Sequence, residues 1–213
     1  DCIVPWSGGK DSSSVAYKLK FDYGMNPLLV TFSPLIPSKV GVRNRKNFLD
    51  MGFDNVYFHP NEKVSKTLSK RFFKERGNPK VHWDAGINSL PIQVACEKNI
   101  KLVFYGEHEA EYGNSKKDIE SAKRSWDYFT SSKEDQIFLG GSSLSQLREF
   151  GLSEGDWDPY IPIDPSIIEE KNIEVHYLGY YEKWHPQSAY YYSVEHGGFQ
   201  SSPERTAGTY STY

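Results

Sequence analysis

Pro5-Trp6-Ser7-Gly8-Gly9-Lys10-Asp11-Ser12-Ser13-Ser14 stands between the apolar run Cys2-Ile3-Val4 and a segment of helical period whose Val15, Ala16 and Leu19 share one face. A strand that ends in two glycines and runs into a helix sets several backbone N–H groups at the positive end of that helix, which suits an anion. Gly8 and Gly9 let the backbone approach a ligand closely and permit positive φ. Ser7, Ser12 and Ser13 add hydroxyl donors, and Lys10 adds a cation within reach of a polyphosphate. The bland alternative is a tight turn with Asp11 or Ser12 as helix cap, which needs a single such residue rather than a cluster.

Working outward, four further apolar runs are predicted strands: Leu28 to Phe32, Val56 to Phe58, Leu102 to Tyr105 and Glu174 to Leu178. Helical patterns alternate with them, at Asp11 to Tyr23, Arg43 to Met51, Glu62 to Arg76, Ala85 to Lys98, Leu144 to Phe150 and Pro186 to Tyr192. Such alternation predicts an α/β fold, a doubly wound parallel sheet covered on both faces, in a single domain over residues 1–213. Residues from about 107 to 165 have no sustained period and many Ser, Asp and Gly, and read as an inserted lid over the sheet.

The chain's 213 residues suffice for one sizeable core. Lys and Arg number 25 against 28 Asp and Glu, a formal charge of −3, which argues against a wholly basic nucleic-acid binder. The two cysteines, Cys2 and Cys96, form no disulfide scaffold and fit a reducing compartment. Cys96, among Ile92, Val94 and Ala95, reads as a core residue. No run approaches the roughly 18 apolar residues of a membrane helix, so a cytoplasmic protein is expected. The chain opens on Asp1, directly before a strand, and closes on Arg205 to Tyr213 without a stop signal. Segments of the full protein are therefore expected to precede and follow it.

The turn does not fit the Walker pattern, because Lys10 is followed by Asp11. Nor does it fit the dinucleotide fingerprint, which needs more than Gly8-Gly9. Ser7-Gly8-Gly9-Lys10-Asp11-Ser12 after a first strand resembles the PP-loop of the ATP pyrophosphatase superfamily. That resemblance implies a HUP-type fold, cleavage of ATP between its α- and β-phosphates, and a loop that grips pyrophosphate. It implies Mg²⁺ on the phosphates, with Asp11 as the nearest carboxylate. It also implies adenine beside Val30, Thr31 and Phe32, and the α-phosphate near Gly106.

Asp1 to Ser12, Asn26-Pro-Leu-Leu-Val-Thr31, Tyr105-Gly-Glu-His-Glu-Ala-Glu-Tyr-Gly113, Tyr177-Leu-Gly-Tyr-Tyr-Glu-Lys-Trp184 and Glu204-Arg-Thr-Ala-Gly-Thr-Tyr210 together resemble the N-acetyl sugar amidotransferases. The resemblance implies an ATP-dependent ligase that converts the acetamido group of a nucleotide-linked bacterial surface sugar, as in lipopolysaccharide O-antigen biosynthesis, to an acetamidino group. Lys10 and Asp11 would act at the phosphates. Glu107 and Glu111 would hold Mg²⁺, orient the sugar or take the proton from attacking ammonia. Arg205 and Thr206 would fold back from the tail, and Tyr112 and Trp184 would meet the sugar. A separate glutaminase subunit, with a barrel-shaped relay protein, would supply ammonia; a homodimer is compatible, and membrane and nucleic-acid partners are not expected. The family's Cys-rich N-terminal segment does not lie in this chain, and two distant cysteines do not make a zinc site.

Other constellations read more plainly. Glu107-His108-Glu109-Ala110-Glu111-Tyr112 lacks the second histidine of a zinc protease. Lys63, Lys66, Lys70, Arg71, Lys74 and Arg76 read as a solvated helix face; the alternative is a tRNA surface like that of the thiolating PP-loop relatives. Tyr180, Tyr181, Trp184 and Tyr190 to Tyr192 could stack on a sugar or base, or pack beneath the tail. Asp156 and Asp158 read as turn residues. Two rival functions follow, a tRNA-thiolating enzyme and an ATP-binding module without chemistry.

Overall fold

Cys2, Ile3 and Val4 carry side chains suited to burial on both faces of a parallel sheet, and in the computed structural model all three are fully buried in β1 (Cys2–Pro5). The structure describes residues 1–106, 121–124, 138–139 and 141–203. After β1 come α1 (Lys10–Phe21), β2 (Pro27–Phe32), α2 (Lys39–Leu49), β3 (Asp54–Phe58), α3 (Glu62–Arg76), α4 (Val81–Lys98) and β4 (Leu102–Tyr105). A small hairpin follows, β5 (Phe138–Leu139) with β6 (Ser142–Ser143), then α5 (Leu144–Glu149), α6 (Glu154–Trp157) and α7 (Pro165–Glu170). A single 3-10 turn, Asp158–Tyr160, lies between α6 and α7, and β7 (Glu174–Tyr177), α8 (Leu178–Tyr181) and α9 (Pro186–Gly197) complete the described elements.

The five long strands form one sheet in the order β3-β2-β1-β4-β7, and each neighbouring pair is parallel. The two-residue alternation of a strand sorts its side chains between the faces. Ile3, Val30, Phe32 and Val103 pack with Val64, Leu68 and Phe72 of α3 and Leu90 and Ile92 of α4. Cys2, Val4 and Leu29 pack on the other face with Val15, Ala16 and Leu19 of α1 and Phe48 of α2. Helices thus cover both faces, the doubly wound arrangement common to Rossmann-like and HUP-type folds.

Several boundaries differ from the sequence reading for local reasons. α2 begins at Lys39 rather than Arg43, because Ser38 caps it and its Oγ accepts from Gly41 N–H at 3.0 Å. α4 begins at Val81 rather than Ala85 and continues through Pro91. α9 runs past Tyr192 to Gly197 and stops where Gly198 takes a left-handed φ of 60°.

The expected lid needs a larger correction. Leu139, Leu147, Leu152, Trp157 and Tyr160 are buried in the same core as Ile3 and Val30. The described end of the 107–165 region is therefore a wall of the core, built from short helices. Capping boxes, Ser143 with Gln146 and Ser153 with Asp156, start two helices of six and four residues, too short for a period to develop. Among the described residues, no helix is long and apolar enough to cross a membrane.

Candidate functional site

In a parallel sheet of this kind, ligands bind beyond the carboxyl ends of the strands where the strand order reverses. Here that point lies between β1 and β4, and both strands end in glycine-bearing turns. Gly8 holds a φ of 85°, a left-handed conformation that side chains disfavour. Gly9 is the N-cap of α1 and makes no side-chain cap hydrogen bond, so Asp11 and Ser12 are not caps. The first-turn N–H groups of a helix have no intrahelical acceptor and point beyond its start. Gly106, after β4, lies so near α1 that a Cβ would come within 3.0 Å of Val15 Cγ2. Its glycine thus lets the two turns converge.

The turn is held from beneath. Trp6 donates its backbone N–H to Val30 C=O at 2.8 Å and its indole N–H to the buried Ser13 Oγ at 2.8 Å. Ser13, expected to face a ligand, instead anchors Trp6. Lys10 Nζ donates to both Asp11 carboxylate oxygens, at 2.7 and 2.6 Å, with the side chains 12% and 21% exposed. The Ser193 hydroxyl of α9 donates to Lys10 C=O at 2.5 Å.

A cavity of about 220 Å³ opens over this corner. One part of its lining is polar: Ser7, Gly9, Asp11, Ser12 and Gly106. Another is apolar, with Val30 and Phe32 of β2 and Trp83, Ile87 and Pro91 of α4. Lys10 and Gly8 flank the cavity and are not among its lining residues. Thr31 lies on the opposite face of β2 from Val30 and Phe32, and its Oγ1 accepts from Asn55 Nδ2 at 3.0 Å. Trp184 lines a separate space of about 90 Å³ between α1, α8 and α9. Glu107, Glu111, Tyr112, Arg205 and Thr206 lie outside the described residues.

Sequence reasoning missed the α4 contribution. Trp83, Ile87 and Pro91 are spaced by four, a signal present in the chain, but an apolar helical stripe marks core as readily as a site. Among the described residues, the buried indole nitrogen of Trp83 has no hydrogen-bond partner.

The two thiols are not poised for chemistry. Both Cys2 and Cys96 are free and buried; desolvation pushes Cys2 up to about 11 and raises Cys96 as well. The basic face of α3 carries Lys66–Glu62 and Arg71–Glu75 pairs one turn apart, as a solvated helix does. Among the described residues, no group of three or more His, Cys, Asp or Glu side chains could hold a metal ion. No family model matches the chain, and no curated protein aligns with it as a relative.

Proposed function

We propose that the protein is an ATP-dependent amidotransferase that replaces the acetamido oxygen of a nucleotide-linked N-acetyl sugar with ammonia, releasing AMP and pyrophosphate. The observation that carries the nucleotide part is the cavity itself. Its polar side is an uncapped helix N-terminus behind a positive-φ glycine, and its apolar side is large enough in lining to take a base. At about 220 Å³ it is smaller than the roughly 300–1,000 Å³ of many ligand sites, so the polyphosphate would lie along the turn. The choice of reaction rests on the sequence resemblance.

An amide carbonyl is a weak electrophile and its oxygen a poor leaving group. Attack of that oxygen on the α-phosphorus expels pyrophosphate and leaves an O-adenylyl imidate. Ammonia then adds to the imidate carbon, AMP departs with the oxygen, and an amidine remains after loss of a proton. In this reading the α1 N–H groups and Lys10 hold the pyrophosphate charge, with Lys10 turning from Asp11, while Ser7 and Ser12 donate to phosphate oxygens. Asp11 is a single carboxylate on the cavity wall. It fits Mg²⁺, which is commonly held by one or two carboxylates together with substrate phosphates. When bound, that ion would offset the phosphate charge. The buried, protonated state of both thiols weighs against the thiolating alternative for these cysteines.

The test is to incubate the full-length protein with ATP, Mg²⁺, ammonium and a panel of nucleotide-linked N-acetyl sugars, and to follow sugar mass and nucleotide products. Replacement of one oxygen by NH, matched by AMP and pyrophosphate, is expected. ADP as the product, or no sugar-dependent ATP cleavage, overturns the proposal.

A further inference from the structure

The Ser193 hydroxyl of α9 crosses to α1 and donates to the Lys10 carbonyl at 2.5 Å, from a residue that is 2% exposed. A serine inside a helix often returns its hydroxyl to the carbonyl one turn back on its own helix; this one reaches a residue 183 positions earlier in the chain. The rest of α9 is seated closely enough to hold that contact. Gly197 lets the helix lie against Phe48, where a Cβ would come within 3.2 Å of the ring, and Phe48 stacks on Trp6 with 5.3 Å between centroids. Beyond the helix, Asn44 of α2 accepts from the Gln200 N–H at 2.9 Å and donates to the Gln200 carbonyl at 2.8 Å. α9 therefore bears on the glycine turn from both sides, through Trp6 before it and Lys10 after it.

We infer that Ser193 is a positioning residue for the phosphate-gripping turn. The inference rests on the nucleotide reading above and names what aims its donors. The peptide group between Lys10 and Asp11 is planar, with its C=O and N–H pointing opposite ways. Holding the Lys10 carbonyl against α9 fixes the Asp11 N–H in the other direction, beyond the start of α1, where Asp11 lines the cavity. The same carbonyl takes the ordinary donor of the next helical turn, so the hydroxyl is a second donor on one oxygen. It polarises the peptide and strengthens the N–H as a donor to an anion. Ser193 touches no ligand itself; it acts through the Lys10–Asp11 peptide, and its effect falls on the phosphates rather than the base.

The experiment measures equilibrium binding of inorganic pyrophosphate, ATP and adenosine to wild type, Ser193→Ala and Ser193→Cys, with thermal unfolding of each protein beside it. Pyrophosphate probes the turn alone, and adenosine the apolar wall alone. Ser193→Ala should weaken pyrophosphate and ATP roughly two- to twelve-fold, the worth of one hydrogen bond, and leave adenosine as in wild type. Ser193→Cys keeps the shape of the side chain with a weaker donor, so it should fold as wild type does and bind pyrophosphate at a level between the two. Equal losses for pyrophosphate and adenosine would mean that Ser193 only supports the fold, and would overturn the inference. Unchanged pyrophosphate binding in both variants, while Lys10→Ala weakens it, also overturns the inference and leaves the nucleotide reading standing. A wild-type protein that binds neither pyrophosphate nor ATP overturns both.

Discussion

Gly86 of α4 is where the fold and the cavity are most tightly coupled. A Cβ added there would lie 2.4 Å from two ring atoms of Phe32 and 2.8 Å from a third, whereas ordinary contact begins at 3.4 Å. The ring must therefore move by about 1 Å. It packs on Phe58 and Tyr160, at centroid distances of 5.3 and 5.5 Å, and it lines the cavity, which is its open side. Overpacking of this kind costs about 1–3 kcal/mol. Alanine recovers about 1 kcal/mol through its better helix propensity. Gly86→Ala should thus lower stability by a net of up to ~2 kcal/mol, which for a chain of this length means a fall in Tm of up to roughly 8 °C. Thermal unfolding by circular dichroism measures it, and nucleotide binding should weaken in parallel as Phe32 enters the cavity. A Tm above that of wild type would refute the reasoning, because it would mean the ring yields at no cost.

The remaining predictions concern the turn and the core. Lys10→Ala should lower sugar-dependent AMP formation by about 10²–10³-fold, and the far-ultraviolet circular dichroism spectrum should stay that of the folded wild type, which separates loss of activity from loss of fold. Ser13→Ala leaves the buried Trp6 indole N–H without its acceptor and should destabilise by about 1–3 kcal/mol, read from the urea midpoint. His82 is 4% exposed, and burial lowers it to about 4 against an ordinary 6.5, while the Pro79 backbone offsets this in part. The unfolded chain therefore binds the extra proton first. The neutral ring's stability is complete above about pH 6.5 and is lost as pH falls toward about 4, a change on the order of 2–3 kcal/mol. Urea midpoints across that range should fall steeply in wild type and less in His82→Phe; equal slopes would remove His82 from the account.

What the chain determines unaided is what short-range physics controls. The β1-turn-α1 unit is legible because strand burial, glycine freedom and helical period all act within a few residues of one another. The same holds for α3, whose bounds from Glu62 to Arg76 match the pattern read from sequence, with Asn61 capping one end and Gly77 closing the other in a left-handed turn. Tertiary structure decides whatever depends on which distant residues meet. Strand order is one such matter, since no strand's own sequence says which strand it pairs with and only packing sets β4 beside β1. The facing of Thr31 is another, because its hydroxyl turns to Asn55 on the neighbouring β3. The pocket's second wall is a third: Trp83, Ile87 and Pro91 form an ordinary apolar stripe in sequence, and they come to line the cavity only because α4 packs against β1 and β2, beside the turn.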